Sequence, residues 1–317
     1  MGIQLPQEPT TTPLREVQVE EADAPTVQLR ALDQLWFQVA GTVCNLRCSH
    51  CFISCSPENH SFWFMTRDEV KSALDASVRL GVKEYYFTGG EPFMNRDILG
   101  ILDDALALGP TTVLTNATLL PSRTVDALAE MASSSPYTLE LRVSIDGVTA
   151  EMNDAIRGRG SFERAVQAVG RLAAAGFLPI ITTMQTWPDH ETEAILADFR
   201  RLLGDAGYDR SRLKILPPLR IGAEAVRGRG YDEHERVTHE MMREYPAELL
   251  LCSSARLVTA SGVRACPILL DYDSGRLGDT VEEAAEMPAV LAEQACYTCW
   301  VNGAICSNMP GFAADPA

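Results

Sequence analysis

The sequence predicts an α/β fold on a parallel sheet, followed by a smaller cysteine-rich region. Three observations lead there. Between residues 35 and 216, short apolar runs alternate six times with amphipathic stretches. Strands alternating with helices imply parallel pairing through right-handed crossovers. Residues suited to chemistry fall just after the strands, the end at which parallel barrels build their active sites. After Leu216-Pro217-Pro218-Leu219 the alternation stops and five further cysteines appear.

The elements follow in order. Residues 1–33 read as an N-terminal tail or strap; the stretch to Pro25 is acidic and rich in Pro and Thr, and nothing in it carries chemistry. Leu35–Ala40 is a buried strand. Thr66-Arg67-Asp68-Glu69 is a capping box, opening an amphipathic helix to about Leu80 that Gly81 stops. Glu84–Thr88 is the second strand, and a helix from about Asp97 to Leu108 ends before Gly109-Pro110. Thr112–Leu114 is the third strand, followed by Thr115-Asn116 and a helix near Ser122–Ser133. Thr138–Ile145 is the fourth, closed by Asp146-Gly147. Ser161 caps a helix to Ala175, with Gly176 at its end. Leu178–Met184 is the fifth strand, Glu191–Leu203 a helix, and Leu213–Leu216 the sixth strand. Six units are too few for a full eight-fold barrel.

The chain has 317 residues, 46% apolar and 22% charged, which is ordinary for a globular protein of one large and one small domain. With 43 acidic against 27 basic residues the net charge is −16, which argues against bulk nucleic acid as a partner. The sequence has no signal-peptide apolar core and no run of 18 apolar residues, so neither secretion nor a membrane span is expected. A cytoplasmic, reducing compartment is expected, and there the nine cysteines read as metal ligands rather than disulfides.

The densest signal is Cys44-Asn45-Leu46-Arg47-Cys48-Ser49-His50-Cys51, spaced C-x3-C-x2-C. Soft thiolates at this density suit iron–sulfur or zinc. A closed site takes four ligands. Three local thiols leave one metal position open, unless Cys55, four residues on, fills it. Gly89-Gly90-Glu91-Pro92 follows the second strand at once. In type, order and spacing the two motifs resemble the radical S-adenosylmethionine (SAM) superfamily, over about residues 35–222.

The resemblance implies a partial (β/α)6 TIM-like barrel over residues 34–222. It implies a 4Fe-4S cluster on Cys44, Cys48 and Cys51 whose open iron takes SAM. Reductive cleavage of SAM would then give methionine and a 5′-deoxyadenosyl radical that abstracts hydrogen from substrate. An external electron donor such as flavodoxin or ferredoxin is implied with it. Gly89 and Gly90 suit close backbone approach to the SAM ammonium, and Glu91 can accept from that amine. By resemblance, Ser144 meets the SAM carboxylate or ribose, Arg157 pairs with the carboxylate, and Asn116 joins them. His50 reads as packing beside the cluster; the other histidines show no ligand spacing.

In the last hundred residues Cys252 and Cys266 bracket Ser261-Gly262, a hairpin turn, and Cys296-Tyr297-Thr298-Cys299 is a C-x2-C pair. Two hairpin thiols plus a later pair form a four-ligand signature. It resembles the auxiliary-cluster domain called Twitch, here residues 223–317. The longer relative, SPASM, has more cysteines than this chain offers. The resemblance implies a second 4Fe-4S cluster on Cys252, Cys266, Cys296 and Cys299, with Cys306 able to replace one ligand and structural zinc the alternative. Cys55 and Cys306 are left over, candidate hydrogen-atom donors to a substrate radical.

Three functions remain open at this stage. One is oxidation or epimerisation of a small metabolite such as a sugar, cyclitol or nucleoside. Another is modification of a ribosomally made peptide. The last is a cluster-bearing regulatory protein with no activity, which the intact motifs disfavour. The short N-terminal segment offers no separate leader-peptide domain, which favours the first.

Overall fold

The computed structural model describes residues 23–307. Its elements, in chain order, begin with β1 (Thr26–Val27) and β2 (Gln34–Gln38). Then come α1 (Arg67–Leu80), β3 (Glu84–Thr88), α2 (Ile98–Leu106), β4 (Thr111–Thr115) and α3 (Ser122–Ser134). The chain continues through β5 (Leu139–Ser144), α4 (Ala150–Arg157), α5 (Ser161–Ala174), β6 (Ile180–Met184), α6 (Thr192–Asp205) and β7 (Arg212–Leu216). The C-terminal part holds α7 (Gly222–Arg227), α8 (His239–Met242), β8 (Ala255–Thr259), β9 (Gly262–Arg264) and β10 (Arg276–Gly278). It ends with α9 (Val281–Glu286), β11 (Ala289–Val290) and α10 (Ala295–Asn302).

Strands β2 to β7 pair in parallel in sequence order. That is the partial barrel of six strand–helix units. Aromatic pairs knit the first two strands on both faces. Trp36 stacks on Tyr86 at 4.2 Å and Phe37 on Phe87 at 5.0 Å, directly opposite in register. Helix α1 starts as its sequence demands: Thr66 accepts from Glu69 N, Glu69 reaches back to Thr66 N at 2.7 Å, and Gly81 closes the helix at φ +74°.

Three local expectations differ. Helix α4 was not foreseen; Thr149 caps it, accepting from Met152 N at 3.2 Å. Ser161 is the first residue of α5 rather than its cap, because Asp154 takes that work by accepting from Gly160 N and Phe162 N. The hairpin turns at Ala260-Ser261, and Gly262 already pairs with Thr259.

The larger difference is at the seam. The hairpin of the cysteine-rich region does not stand apart: β8 pairs in parallel with β2, so one nine-stranded sheet runs β10-β9-β8-β2-β3-β4-β5-β6-β7. The strap joins as well. Its β1 pairs with β11, and Arg30 N donates to Ser253 O at 2.8 Å. Residues 1–22 of the tail lie outside the described residues. Among the described residues no helix is long and apolar enough to cross a membrane.

Candidate active site

Strand β2 delivers the chain into the loop that carries Cys44, Cys48 and Cys51, and the turn after β3 holds this loop in place. Gly90 N donates to Gly41 O at 2.9 Å, and Glu91 N to Val43 O at 3.1 Å. A Cβ on Gly90 would stand 1.9 Å from the Val43 carbonyl oxygen, and one on Gly89 2.8 Å from Ala40 N. Only glycine permits such approach. The two glycines dock one backbone on another and also line the cavity beside the cysteine loop.

Glu91 turns inward and is fully buried. One carboxylate oxygen accepts from Thr115 Oγ1 at 2.7 Å and Phe93 N at 3.1 Å; the other accepts from Asn116 N at 2.8 Å. Burial raises its pKa to about 7 against the pull of these donors. Both oxygens of Glu91 also position the site, since they tie the ends of β3 and β4. Asn116 in turn donates to Asn45 Oδ1 at 3.0 Å and lies 3.8 Å from Cys44 Sγ.

Burial pushes the Cys44 thiol up to about 12 and that of Cys48 up to about 11, the latter opposed by Arg157. Thiols in such surroundings ionise on taking up a metal. Cys55 lies beside Cys51. Its backbone N–H donates to Cys51 Sγ at 3.3 Å, and its thiol hydrogen-bonds the same sulfur, which lowers Cys51 and raises Cys55.

A charge cluster backs these thiols. Asp146, fully buried at the end of β5, lies 2.5 Å from both His50 Nε2 and Arg157 Nε. It also accepts from Met184 N at 2.8 Å. Burial alone would raise its carboxyl; Arg157 and His50 hold it well below the usual carboxylate range. Arg157 is therefore held inward, its side chain 12% exposed. Its charge is already shared with Asp146, and it also hydrogen-bonds Cys48. Nothing in the His50 spacing announced this contact, which joins residues 96 positions apart.

The thiols and the Asp146–Arg157–His50 cluster line a cavity of about 220 Å³ at the C-terminal ends of the strands. Its wall includes Cys44, Cys48, Cys51, Cys55, Ser144 and Arg157. The segment after β7 leans over it: Ala223 N donates to Cys51 O at 3.0 Å, and a Cβ on Gly222 would meet Phe52 O at 2.3 Å. The donor set fits a three-thiolate cluster with an adjoining ligand pocket. The buried hydroxyl of Thr182 and the Nδ1 of His50 there lack partners.

The second cysteine set is built differently. Cys252, Cys266, Cys296 and Cys299 surround a void of about 20 Å³ walled by Leu250, Leu251, Ile268, Leu269, Ala289 and Leu291. Burial raises the thiols, Cys252 to about 12. Arg256, wholly buried and not anticipated from sequence, is the cation beside them. Its guanidinium donates to the carbonyls of Cys252 (2.7 Å), Ala255, Ala284 and Met287 (each within 2.9 Å). Among the described residues no three His, Cys, Asp or Glu side chains converge on a point as a single ion requires; both cysteine sets frame a void.

Cys306 is placed by its backbone as much as by its sulfur. Its carbonyl accepts from Arg142 Nη1 at 2.5 Å, while its thiol feels Cys266 and Cys299. The sulfur thus belongs with the second set, whereas of the two spare thiols Cys55 lines the larger cavity.

Residues 39–203 match the Radical SAM superfamily, and the chain belongs to that family, whose members bind a 4Fe-4S cluster and S-adenosylmethionine. Mycofactocin maturase MftC of Mycobacterium tuberculosis is 37% identical over 136 residues, 42% of this chain and 33% of the relative. AdoMet-dependent heme synthase of Methanosarcina barkeri is 31% identical over 219 residues, 68% of this chain and 59% of the relative. The chain thus spans about a third of the length of the first curated relative. Streptococcus suis SuiB, solved with its precursor peptide SuiA, shares the fold with a TM-score of 0.63 at 17% identity, over 82% of this chain and 66% of SuiB.

Proposed function

We propose that this chain cleaves S-adenosylmethionine reductively at the Cys44–Cys48–Cys51 site and removes hydrogen from a carbon of a small metabolite, of sugar, cyclitol or nucleoside type. The four C-terminal thiols would hold an auxiliary 4Fe-4S cluster in a Twitch-like region that takes up the remaining electron of an oxidation. The carrying observation is the shared cavity: three thiols, Ser144 and Arg157 face one space, and Arg142 spans from that space to the Cys306 carbonyl.

When bound, the cluster and SAM supply one-electron cleavage and a carbon-centred hydrogen abstractor. The chain's residues do the rest. Gly89 and Gly90 fix the loop, Asp146 holds Arg157 in line, and Ser144 offers a strand-end hydroxyl. The segment over the cavity, anchored at Cys51 and Phe52, narrows the mouth, which supports a small substrate. The alternative, modification of a ribosomally made peptide, draws on the precursor peptide bound in SuiB.

Anaerobically reconstituted protein is expected to hold about 8 iron per chain on seven cysteines. It should form 5′-deoxyadenosine from SAM under dithionite. Mass spectrometry then assigns the reaction: a product two hydrogens lighter indicates oxidation. A single deuteron from deuterated water in an isomeric product indicates inversion with a thiol donor, Cys55 first. About 4 iron with one zinc would overturn the auxiliary-cluster reading. A substrate joined to a second molecule would overturn the oxidation.

A further inference from the structure

The interior of the barrel carries two cations, Arg142 and Lys214, that form no ion pair with a carboxylate among the described residues. Along β5 alternate residues face inward, so Arg142 stands one interior position below Ser144. Across the sheet Ser144 is in register with Thr182, and Thr182 with Lys214. Arg142 is 2% exposed and Thr182 8% exposed, and both line the cavity of about 220 Å³ beside the three-cysteine loop.

The hydrogen-bonding inventory of this group is incomplete. Arg142 Nη1 donates to the Cys306 carbonyl, and among the described residues its Nε has no partner. Thr182 Oγ1 has none either. Lys214 Nζ is spent on the Ser307 carbonyl, a neutral acceptor. The nearby carboxylates form their ion pairs elsewhere: Glu140, on the same face of β5, acts on Arg142 through space but pairs with Arg212, and Asp146 pairs with Arg157 and His50. The two cations also feel each other, for burial and then the Arg142 charge draw Lys214 down to about 8.

Burying a guanidinium with only neutral acceptors is costly, by several kcal/mol for an uncompensated ion. A fold of net charge −16 that nevertheless keeps two cations inside its barrel calls for an anion there. A planar fork with a free Nε–H matches an oxyanion, and a neighbouring hydroxyl adds a third donor.

We propose that Arg142 and Thr182, with Lys214 behind them, form a receptor for an oxyanion carried by the substrate, a carboxylate or a phosphate, deeper in the barrel than the SAM-facing residues. This rests on the reading of the cavity as the active site, and it narrows the substrate to an acidic metabolite: a sugar acid, a sugar phosphate or a nucleotide. Arg142 is then a specificity residue that orients the reacting carbon through the distant charge.

The test is calorimetric titration of reconstituted, SAM-saturated protein with inorganic phosphate, acetate and uncharged glycerol. Saturable binding of phosphate or acetate, with none of glycerol, is expected; whichever anion binds tighter separates a phosphorylated substrate from a carboxylic one. Arg142→Gln should weaken that binding about tenfold, the worth of a charge-assisted bond. Thr182→Val, which keeps both cations and decides the matter if Arg142→Gln fails to fold, should weaken it about threefold. Wild-type affinity in both variants, or no saturable binding to the wild type, overturns the proposal. So does anion binding that appears only when SAM is omitted, which would give Arg142 to the SAM carboxylate. Wild-type protein that cleaves SAM yet binds neither anion sinks only this receptor; one that binds an anion but forms no 5′-deoxyadenosine sinks the SAM reading instead.

Discussion

The two cysteine sets gather thiols in one place with opposite surroundings. The loop of Cys44, Cys48 and Cys51 faces a cavity of about 220 Å³, backed by glycines and by the Asp146–Arg157–His50 cluster. The set of Cys252, Cys266, Cys296 and Cys299 closes on about 20 Å³ of apolar space with Arg256 as its cation. Room and polarity at the first permit a ligand beside the metal. Tight apolar walls at the second leave little room for any group beside the thiols. The difference teaches that ligand count does not define a centre; what stands beside the thiols does.

The largest effect that would break this comparison is on activity. Replacing Cys44, Cys48 and Cys51 together by Ala should abolish 5′-deoxyadenosine formation while about 4 iron per chain remain on the C-terminal set. Iron analysis and chromatography of the products check both halves. Full SAM cleavage by that variant would remove the basis of the proposed function.

Two single changes then probe each support separately. Gly90→Ala drives a methyl to 1.9 Å from the Val43 carbonyl oxygen, so the loop must shift, at about 3 kcal/mol. Thermal melting should show the loss, and iron should leave the first site alone. Arg256→Lys is its mirror. A single ammonium cannot serve the four carbonyls that the fork reaches. Leaving them unmet costs about 2 kcal/mol, and the C-terminal iron should fall first while 5′-deoxyadenosine still forms. Equal iron loss from both sites in either variant would mean that the supports are shared.

The smallest effect is in pH dependence. Glu91 is raised in the folded chain to about 7. Stability tied to its protonated form is therefore full below the unfolded carboxylate range, near about pH 4, and is lost as pH rises through about 7. Glu91→Gln should flatten this slope between melts at about pH 5 and pH 8. It should also lower stability by about 1–2 kcal/mol at acid pH, because an NH2 would face donors already in place. An unchanged slope would mean another group carries it.

Much of this molecule is local in origin, and that part was legible in the sequence. Thr66-Arg67-Asp68-Glu69 fixes a helix start, because its hydrogen bonds close within one turn. The six alternations fix strand and helix order, and the parallel sheet follows because a crossover has one favoured hand. The cysteine loop and Gly89-Gly90 stand close in sequence to the strands that carry them. The reason for the glycines, contact with Val43 and Ala40, was not legible, because it depends on two loops meeting. The continuation of the barrel sheet by β8 was hidden for the same reason: edge pairing between residues over 200 positions apart leaves no periodic trace. So too were the contact of His50 with Asp146, the four carbonyls around Arg256, and the burial of Arg142. Burial and partnership set the charge state and use of such side chains, and both are properties of the folded interior. In β5, Glu140, Arg142 and Ser144 share one face, and only the packed barrel decided which of those charges would find a partner.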